Sequence, residues 1–520
     1  MEKLQGKARK SALLGVIDIG SAFMQLKIAD KTEGEQLKIL ESVTKTLPIG
    51  RETFSEGRIS PEMMRALSKN LLGFRQLLRE YKVKKYKVVA TGAIREALNR
   101  EYVIDQIKAN TGFTIEMIHA SQERFLTQQA VRNALPSYDK LKKGGLLIVN
   151  IGSGGVQVAA YAPDGMQYSQ NINMGALRIR QLLSSAELKT MEYTRLLKEY
   201  IYGYIQELIL PMQKGFRHLV ITGEEVDVLY RICGGEGKPQ NERSLDQAVF
   251  RQLYEKMHFM NAQQIRDEFD LGFERAEMLL PAMMIVQAFI SAAGAKKVYC
   301  PSVGLSNGIL YEMSREKEDT EMEEELLQYI RATARQYYIS MNHVEEVAKN
   351  ALLIFDHLGK KQSLTNRHRL LLEMGALLHD IGKQINLANH AQCGADLLMH
   401  MDLIGISEEE QRQLVVLVRY HEAGEPKAED EAYKALNKKS RMAVSKLLAM
   451  LQAANALDYS HKQKLYDLVI KLKGESFIIQ AFTKENAVLE EWMFQHTQGL
   501  FREVFSLEPE LKVYTKRMPG

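Results

Sequence analysis

Two short glycine-containing segments, about 130 residues apart, constrain the fold of this chain more than any other feature. The first reads DIGS at residues 18–21, and the second reads NIGSGG at residues 150–155. Each segment ends one apolar run and precedes another, which predicts a glycine turn between two antiparallel strands. A third strand and a helix follow in both cases. Such a duplication predicts a two-lobed α/β protein with a cleft rather than one doubly wound sheet.

A glycine turn of this kind can also hold phosphate. Because glycine has no side chain, backbone N–H groups can approach an anion closely, and a neighbouring aspartate can orient a metal ion or a water molecule. One copy alone is most often an ordinary turn. Two copies at the same position of a duplicated pattern predict a phosphate-binding cleft.

The composition is that of an ordinary globular protein of several structural units. The chain has 520 residues, 45% hydrophobic and 26% charged, with a formal net charge of +4. This balance does not favour specific nucleic-acid binding. The cysteines are too far apart to suggest disulfides, which favours a reducing compartment. Since no run approaches the roughly 20 apolar residues that span a bilayer, we expect a cytoplasmic protein without a membrane partner.

Changes of pattern along the chain predict its domains. We predict two α/β lobes, at residues 12–135 and 136–314. The charged run REKEDTEMEEEL at residues 315–326 predicts a linker. Beyond it, apolar residues recur at helical spacing, which predicts an all-α domain over residues 327–510.

Several segments resemble, in order and spacing, the exopolyphosphatase / guanosine pentaphosphate phosphohydrolase family: LLGVIDIGSAFMQLKIAD, VVATGAIREALN, IEMIHASQERFL, LLIVNIGSGGVQVAAY and NMGALRIRQLL. The resemblance covers about residues 12–313. It implies an actin-like, duplicated ribonuclease H-like fold followed by an HD-type helical domain. It also implies release of terminal phosphate from polyphosphate or guanosine pentaphosphate, a divalent cation such as Mg²⁺ or Mn²⁺, and a homodimer.

The family's phosphate-binding positions fall on the two glycine turns and on one arginine. The resemblance therefore implies phosphate-binding roles for a set of six residues, namely Gly20, Ser21, Arg95, Gly152, Ser153 and Gly154.

The family's acidic pair S-G-x-E-E-A reads HASQER at residues 119–124 of this chain. The glutamate that activates the attacking water in the family falls on Gln122, and Glu123 is the next residue. An amide cannot take up a proton and is a poor magnesium ligand. The resemblance thus predicts impaired hydrolysis, unless Glu123 takes over the role of the general base.

The second phosphate loop of the family, D-I-G-G-G-S-T-E, differs here at both of its acidic positions. Its aspartate falls on Asn150 and its glutamate on Gln157. Together with Asp18, Gln122 and Glu123, these residues form our candidate catalytic set. We expect the loss of carboxylates to make the cleft less negative and so to favour binding of a polyanion.

A second set of candidate residues lies in the helical domain. His379 and Asp380 are adjacent in the segment MGALLHDIGK, with His343 before them and Asp458 after them. This pattern resembles that of HD phosphohydrolases. Neutral imidazoles and carboxylates can bind a divalent metal while leaving positions open for phosphate and water. We predict a metal site formed by these four residues.

Two further histidines, His390 and His421, lie between the predicted ligands in sequence. We interpret them as accessory groups that orient the ligands or face phosphate. Family relatives often carry more histidines just after the HD pair, where this chain has Ala391 and Cys393. This difference favours one metal ion over two.

Three functions are compatible with these patterns. The leading hypothesis is a phosphohydrolase that releases terminal phosphate in the actin-like cleft. In the second, the HD metal carries out hydrolysis and the actin-like module only binds. The third is a sensor of polyphosphate or guanosine polyphosphates with little hydrolysis.

Overall fold

The computed structural model describes residues 12–31, 37–187, 193–209, 216–239, 242–315, 320–422 and 424–515. The chain forms two compact units, which divide between residues 322 and 323. The first unit contains two sheets with helices, and the second contains a helical body and a small sheet.

The first lobe is a five-stranded sheet with helices. Its strands are β1 (Ala12–Ile19), β2 (Phe23–Lys31), β3 (Lys38–Thr46), β4 (Lys85–Ala90) and β5 (Glu116–Met117). Its helices are α1 (Ile49–Glu56), α2 (Pro61–Glu80), α3 (Gly92–Glu96), α4 (Arg100–Thr111) and α5 (Ala120–Ala134). The strands lie in the order β3-β2-β1-β4-β5.

Helix α2 shows how the local sequence determines where a helix of this lobe begins and which of its faces is buried. Ser60 caps the helix by accepting a hydrogen bond from the Met63 N–H at 3.1 Å, and proline occupies the first helical position. Both features favour a helix start at this point. The apolar stripe of α2 is buried in the core of the lobe through Leu67, Leu71, Phe74 and Leu78.

The second lobe is built around a six-stranded sheet. Its strands are β6 (Leu146–Ile151), β7 (Val156–Ala162), β8 (Gly165–Ile172), β9 (His218–Thr222), β10 (Ser244–Leu245) and β11 (Lys297–Tyr299). Its helices are α6 (Tyr138–Lys143), α7 (Ala176–Glu187), α8 (Tyr193–Ile209), α9 (Glu224–Ile232), α10 (Gln247–Met257), α11 (Ala262–Phe269) and α12 (Phe273–Ala293). The following helix, α13 (Leu305–Ser314), packs against β1 and α5 of the first lobe.

The two sheets repeat one topology. In the second lobe the order β8-β7-β6-β9-β11 reproduces the order β3-β2-β1-β4-β5 of the first, and β10 is added at the edge. In each lobe, the first three strands of that lobe pair antiparallel. The fourth strand then pairs parallel to the first, and the outer strand pairs parallel to the fourth. The predicted duplicated α/β fold is therefore confirmed.

Helix α12 contradicts the expectation that no apolar run of the chain is long enough to span a bilayer. It has 21 residues, and a stretch of 18 residues within it has a mean hydropathy of 1.6, which would be enough to cross a membrane by length and composition. However, 72% of this stretch is buried within the protein, where α12 contributes to the core of the second lobe. A helix that is apolar on all sides is expected where protein surrounds it.

The second unit is mainly helical. Its helices are α14 (Thr320–Gln336), α15 (Met341–Leu358), α16 (Asn366–Leu378), α17 (His390–His400), α18 (Glu408–Arg419), α19 (Glu431–Lys434), α20 (Lys438–Ala456), α21 (Val488–His496) and α22 (Gln498–Phe505). Two 3₁₀ turns occupy Gly359–Gln362 and Ile381–Gln384. The predicted change to a helical region after the two lobes is confirmed.

The structure adds a sheet that the sequence reading did not predict. Strands β12 (Tyr466–Lys473), β13 (Ser476–Thr483) and β14 (Glu508–Thr515) pair in the order β12-β13-β14. Gly474, with a φ of 60°, makes the turn between β12 and β13. The expectation of a wholly α-helical domain was therefore wrong for this part. The hairpin turn at Gly474 is a short local signal, and longer helical patterns precede it in the sequence.

The division between the two units falls within the charged run at residues 315–326, as predicted for a boundary, but part of the run is helical. Helix α14 begins at Thr320, within the run, and Leu326 is buried with 2% of its surface exposed. The acidic residues from Glu321 onward thus form the first turns of α14, where negative charge is favoured by the helix dipole.

A glycine at the contact between α13 and α5 gives a test of this packing. A Cβ atom at Gly308 would lie 2.0 Å from the Leu126 carbonyl oxygen, whereas one at Gly73 of α2 would meet nothing within 4 Å. We expect Gly308→Ala to destabilise the protein by about 1–3 kcal/mol through overpacking. The control Gly73→Ala should stabilise it by about 0.5–1 kcal/mol. Urea unfolding of both variants tests this, and equal effects would contradict the packing described.

Candidate functional site

The two glycine turns adopt the same local structure. The Gly20 N–H donates to the Phe23 carbonyl oxygen at 2.9 Å, and the Gly152 N–H donates to the Gly155 carbonyl oxygen at 2.9 Å. The turns also face each other closely, since a Cβ atom at Gly154 would lie 2.7 Å from the Ser21 Oγ atom. The glycine at 154 thus allows the two lobes to approach closely at this point.

A cavity of about 340 Å³ lies between the lobes at these turns. Ten of the eleven residues predicted for the cleft line it, namely Asp18, Gly20, Ser21, Arg95, Glu123, Asn150, Gly152, Ser153, Gly154 and Gln157. The structure thus brings together the residues that the resemblance had placed in one site.

Gln122 is the exception among the described residues of the predicted site. Its side-chain oxygen accepts a hydrogen bond from the His119 N–H at 3.4 Å, at the start of α5. Glu123, one position further along the helix, lines the cavity instead. One helical step turns a side chain by about 100°, which directs Glu123 and not Gln122 into the cleft.

Glu123 lies in a setting that suits proton transfer. Burial raises the pKa of its carboxyl group above the ordinary value, and Arg95 opposes this rise. The Arg95 Nη1 atom lies 3.5 Å from the Glu123 Oε2 atom and donates to the Ile118 carbonyl oxygen at 2.7 Å. A carboxyl group whose pKa is raised toward neutrality is a better general base near pH 7.

The two amides of the second loop bind each other. The Asn150 Nδ2 atom donates to the Gln157 Oε1 atom at 3.2 Å, across the paired strands β6 and β7. The Thr222 hydroxyl donates to the Asn150 Oδ1 atom at 3.0 Å. Two carboxylates at these positions would repel each other in the absence of a cation, whereas the amides stabilise the hairpin.

Asp18 is the carboxylate at the centre of the cleft. Its Oδ1 atom is buried and has no hydrogen-bond partner in the described part of the chain. Burial, together with the negative charge of Glu123, raises the pKa of Asp18 to about 7. An unpaired carboxylate oxygen of this kind fits a role as a ligand of a divalent cation.

The structure also shows acidic residues that the sequence reading missed. Glu224, Glu225 and Asp227 line the cavity at the start of α9. Burial raises the pKa of Glu225 to about 7, and neither of its side-chain oxygens has a hydrogen-bond partner within the described residues. The sequence signal was the segment TGEEVD at residues 222–227, which carries acidic residues after Gly223.

The cleft is consequently rich in acidic groups. Six carboxyl groups line it against two basic side chains, and these eight residues are Asp18, Glu96, Glu123, Glu224, Glu225, Asp227, Lys27 and Arg95. Three of the acidic residues lie on α9 and were not part of the expectation that amides would make the cleft less negative and favour a polyanion. A cation would offset the repulsion between ionised carboxylates and a polyphosphate.

Arg178 of α7 is a further residue that the sequence reading missed. Its Nη2 atom lies 2.7 Å from both carboxylate oxygens of Glu96 in the first lobe. Its Nε atom donates to the Gly154 carbonyl oxygen at 2.7 Å. Arg178 thus connects the second glycine turn to the opposite lobe.

In the second unit, three of the four predicted metal ligands, His343, His379 and Asp380, form a buried cluster with both accessory histidines. The fourth, Asp458, lies behind His343 and is not among these closely spaced donors. The Nε2 atoms of His343 and His379 are 3.3 Å apart, and those of His390 and His421 are 3.2 Å apart. Asp380 lies between the two pairs. Its Oδ1 atom is 3.5 Å from the His379 Nε2 atom and 3.6 Å from the His390 Nε2 atom.

The Nδ1 atoms of these histidines are held by neighbouring acceptors. Three of them lie 2.7–3.0 Å from backbone carbonyl oxygens, those of Ala376, Leu387 and Val418. The fourth, that of His343, lies 2.9 Å from the Asp458 Oδ2 atom. A carbonyl oxygen only accepts hydrogen bonds, so each Nδ1 atom carries the proton. Burial lowers the pKa of His379 well below its ordinary value, which keeps the imidazole neutral.

Asp458 and Lys383 complete the surroundings of the cluster. Both Asp458 oxygens accept hydrogen bonds from Gln463, at 2.6 and 2.8 Å, so this carboxylate orients His343. Lys383 places its Nζ atom 2.6 Å from the Asp380 Oδ2 atom. The ring of His461 stacks on that of His343 with 3.5 Å between the ring centres.

Comparisons with known proteins agree with this arrangement. The model described as the Ppx/GppA phosphatase family matches residues 27–317, and that described as Ppx/GppA phosphatase, domain III, matches residues 328–497. The chain is 20% identical over 414 residues to a guanosine-5'-triphosphate,3'-diphosphate pyrophosphatase of Photobacterium profundum, covering 79% of this chain and 80% of the relative. It is 22% identical over 313 residues to exopolyphosphatase 1 of Mycobacterium bovis, covering 59% and 90%.

One solved structure supports the fold alone. The crystal structure of an exopolyphosphatase from Cytophaga hutchinsonii matches 58% of this chain and 97% of that chain, with a TM-score of 0.51 at 20% identity. The match corresponds in extent to the first unit of this chain.

The raised pKa of Asp18 generates a test of the cleft's electrostatics. The carboxyl group keeps its proton up to about pH 7 in the folded protein but loses it near pH 4 in the unfolded chain. Stability is therefore lost as the pH rises from about 4 to about 7. We expect Asp18→Asn to stabilise the protein by about 2 kcal/mol more at pH 8 than at pH 5. Denaturant unfolding with a chelator present measures this.

The control for this experiment is Asp105→Asn, at an exposed position on α4. It should change stability little and equally at both pH values. The same gain at pH 5 and pH 8 for Asp18→Asn would contradict the assigned ionisation.

Proposed function

The chain belongs to the Ppx/GppA phosphatase family, and from this premise we propose that it releases terminal phosphate from inorganic polyphosphate or guanosine pentaphosphate in the cleft between its lobes. The observation that carries the proposal is the position of Glu123. Its carboxyl group lines the cleft with Asp18 and both glycine turns. The general base that the sequence pattern lacks at Gln122 is thus supplied by the next residue.

The proposed reaction is attack of water on the terminal phosphorus. Glu123 takes a proton from the water, the bond from phosphorus to the bridging oxygen breaks, and the shortened polyphosphate or guanosine tetraphosphate leaves. Positioning and electrostatic stabilisation carry most of the catalysis of phosphoryl transfer. The N–H groups of the glycine turns and the Arg95 guanidinium are suited to holding the phosphoryl oxygens.

The donors of the cleft fit a hard divalent cation. The unpaired Asp18 oxygen lies among other oxygen ligands, which is the environment that Mg²⁺ prefers. When bound, such a cation neutralises charge on the phosphates. Because carboxyl groups outnumber basic side chains in the cleft, phosphate binding there depends more on a cation than the sequence alone predicted.

The names of the relatives support both substrates, which present the same terminal phosphate group. Assembly as a homodimer and location in the cytoplasm stay predictions from the resemblance and the composition.

A second candidate function is HD-type, metal-dependent phosphohydrolysis in the second unit. The observation that favours it is the buried cluster around Asp380. A chain that binds polyphosphate tightly but releases no phosphate at any metal concentration would instead be a sensor.

Substitution of the two neighbouring residues of α5 tests the proposed base. We expect Glu123→Gln to lower the rate of phosphate release by about 10²–10⁴-fold, because it removes a general base. Gln122→Ala should keep the rate within a few-fold, since its amide serves the helix start. Phosphate release from both substrates measures this. If Gln122→Ala lost as much activity as Glu123→Gln, the assignment would be wrong.

The amide pair gives a second test, through stability and magnesium. The double variant Asn150→Asp/Gln157→Glu places two negative charges where the wild-type side chains hydrogen bond at 3.2 Å. We expect its thermal midpoint to fall in chelator and to recover with millimolar Mg²⁺. The isosteric single variant Asn150→Asp should show a smaller fall. A midpoint that does not respond to Mg²⁺ would show that the carboxylates bind no cation there.

A further inference from the structure

A second cavity lies in the second lobe, apart from the cleft. It has a volume of about 560 Å³ and is lined by residues of α7, α8, α11 and α12 and of the segment that joins α10 to α11. None of the residues that line it also lines the cleft. Its size is within the range of about 300–1,000 Å³ that is usual for small-molecule sites.

The lining of this cavity is more basic than acidic. Its basic residues are Arg180, Arg195 and His258, and its only carboxyl group among the described residues is that of Glu277. The Arg180 side chain is 17% exposed, so its guanidinium lies within the protein rather than on its surface. The start of α11 adds to this charge, because its N-cap residue Asn261 also lines the cavity and a helix N-terminus favours an anion. The cavity therefore suits an oxyanion such as phosphate, which arginine binds through two parallel hydrogen bonds.

Aromatic side chains lie beside these basic groups. Phe259 lines the cavity with 85% of its surface exposed. The His258 ring meets Phe259 edge to face, with 5.1 Å between the ring centres. At the start of α8, the centre of the Tyr193 ring lies 5.9 Å from the guanidinium carbon of Arg180. An exposed phenylalanine offers a face on which a flat ring can stack. The cavity thus combines groups that bind a phosphate with groups that bind an aromatic ring.

We propose that this cavity binds a small organic molecule that carries one phosphate group and one flat aromatic ring, of the size of a nucleoside monophosphate. Arg180 and Arg195 hold the phosphate, and Phe259 and Tyr193 contact the ring. The cavity is an effector site, because Glu277 connects it to the cleft. This inference goes beyond phosphate release in the cleft and concerns binding at a separate place.

Glu277 of α12 is the connection between the two places. Its Oε1 atom lies 3.3 Å from the Arg180 Nη2 atom, and its Oε2 atom lies 2.7 Å from the Arg51 Nη2 atom on α1 of the first lobe. Helix α1 is in turn hydrogen bonded to the first glycine turn, because the Gly50 N–H donates to the Ser21 carbonyl oxygen at 2.8 Å. One carboxylate therefore contacts both the cavity and the helix that supports this turn.

A bound phosphate changes the balance of charge at this carboxylate. It neutralises the Arg180 guanidinium, which then attracts Glu277 less, so that Glu277 interacts more strongly with Arg51. The pair of Arg51 and Glu277 joins the two lobes. We therefore expect the ligand to stabilise the arrangement in which the two glycine turns face each other and to strengthen substrate binding in the cleft.

Calorimetric titration of the full-length chain with AMP tests the site, with adenosine and orthophosphate as the two halves of the probe. A chelator is present, so that no cation supports phosphate binding in the cleft. We expect AMP to bind at one site per chain. Each half should bind at least about tenfold more weakly, since it lacks one set of contacts. Asp18→Ala should bind AMP as the wild type does.

Two largely exposed residues of the cavity can be substituted without disturbing the core. Arg195→Ala and Phe259→Ala should each weaken AMP binding by about tenfold, because one removes a guanidinium and the other a stacking face. The matched controls are Arg65→Ala on α2 and Tyr338→Ala in the second unit. Arg195 and Arg65 are 69% and 68% exposed, and both aromatic residues are 85% exposed. Both controls should keep the wild-type affinity.

The connection to the cleft is tested by phosphate release from polyphosphate with and without saturating AMP. We expect AMP to lower the KM by about fivefold or more. Glu277→Gln should still bind AMP but show no change in KM. If the chain releases no phosphate, the dissociation constant of polyphosphate takes the place of KM, so a failure of hydrolysis in the cleft is distinguishable from a failure of this proposal.

Several results would overturn the proposal. The binding site would be refuted by absence of AMP binding, by binding that survives both cavity substitutions, or by orthophosphate that binds as tightly as AMP. Loss of AMP binding in Asp18→Ala would place the ligand in the cleft instead. A KM that AMP does not change, or one that it still changes in Glu277→Gln, would contradict the role of Glu277.

Discussion

The contact between the two glycine turns is the constraint on which the first unit depends. Ser21 and Gly154 approach so closely that a single added carbon would lie 2.7 Å from the serine hydroxyl. This contact sets the width of the cleft and brings the backbone N–H groups of two duplicated sheets to one point. Each turn is closed by the same hydrogen bond across three residues, so one local structure serves both lobes. The geometry proposed to bind phosphate is therefore a property of the backbone, and it does not depend on the amides at Asn150 and Gln157.

The acidic side chains around this backbone come from other elements than the family pattern predicts. The second loop has amides that bind each other, while α5 supplies Glu123 and α9 supplies Glu224 and Glu225. The cleft thus keeps an excess of acidic groups over basic ones, but from different elements. Burial raises the pKa values of Asp18 and Glu225 to about 7, which means that both respond to cations and to pH near neutrality. We therefore expect cation binding and phosphate binding in the cleft to be coupled.

The sequence predicted the duplication, because glycine turns and alternating apolar runs are local signals that survive in each copy. It also predicted ten of the eleven residues proposed for the cleft, but not Glu224, Glu225 and Asp227 of α9. It could not show which face of α5 meets the cleft, since Gln122 and Glu123 differ by one helical step and only packing decides between them. The short hairpin around Gly474 was overlooked beside longer helical patterns. Likewise, the inward direction of His390 and His421 depends on carbonyl acceptors that sequence spacing does not reveal.

The central claim is that the cleft between the lobes carries out phosphate release. The most direct test is the rate of release from polyphosphate and guanosine pentaphosphate by the wild type and by Asp18→Ala, with saturating Mg²⁺. The account predicts a loss of at least about 10²-fold in Asp18→Ala, typical of removing a group that acts at the reacting phosphate. Equal rates for both proteins would contradict the claim and would place the hydrolysis outside the cleft.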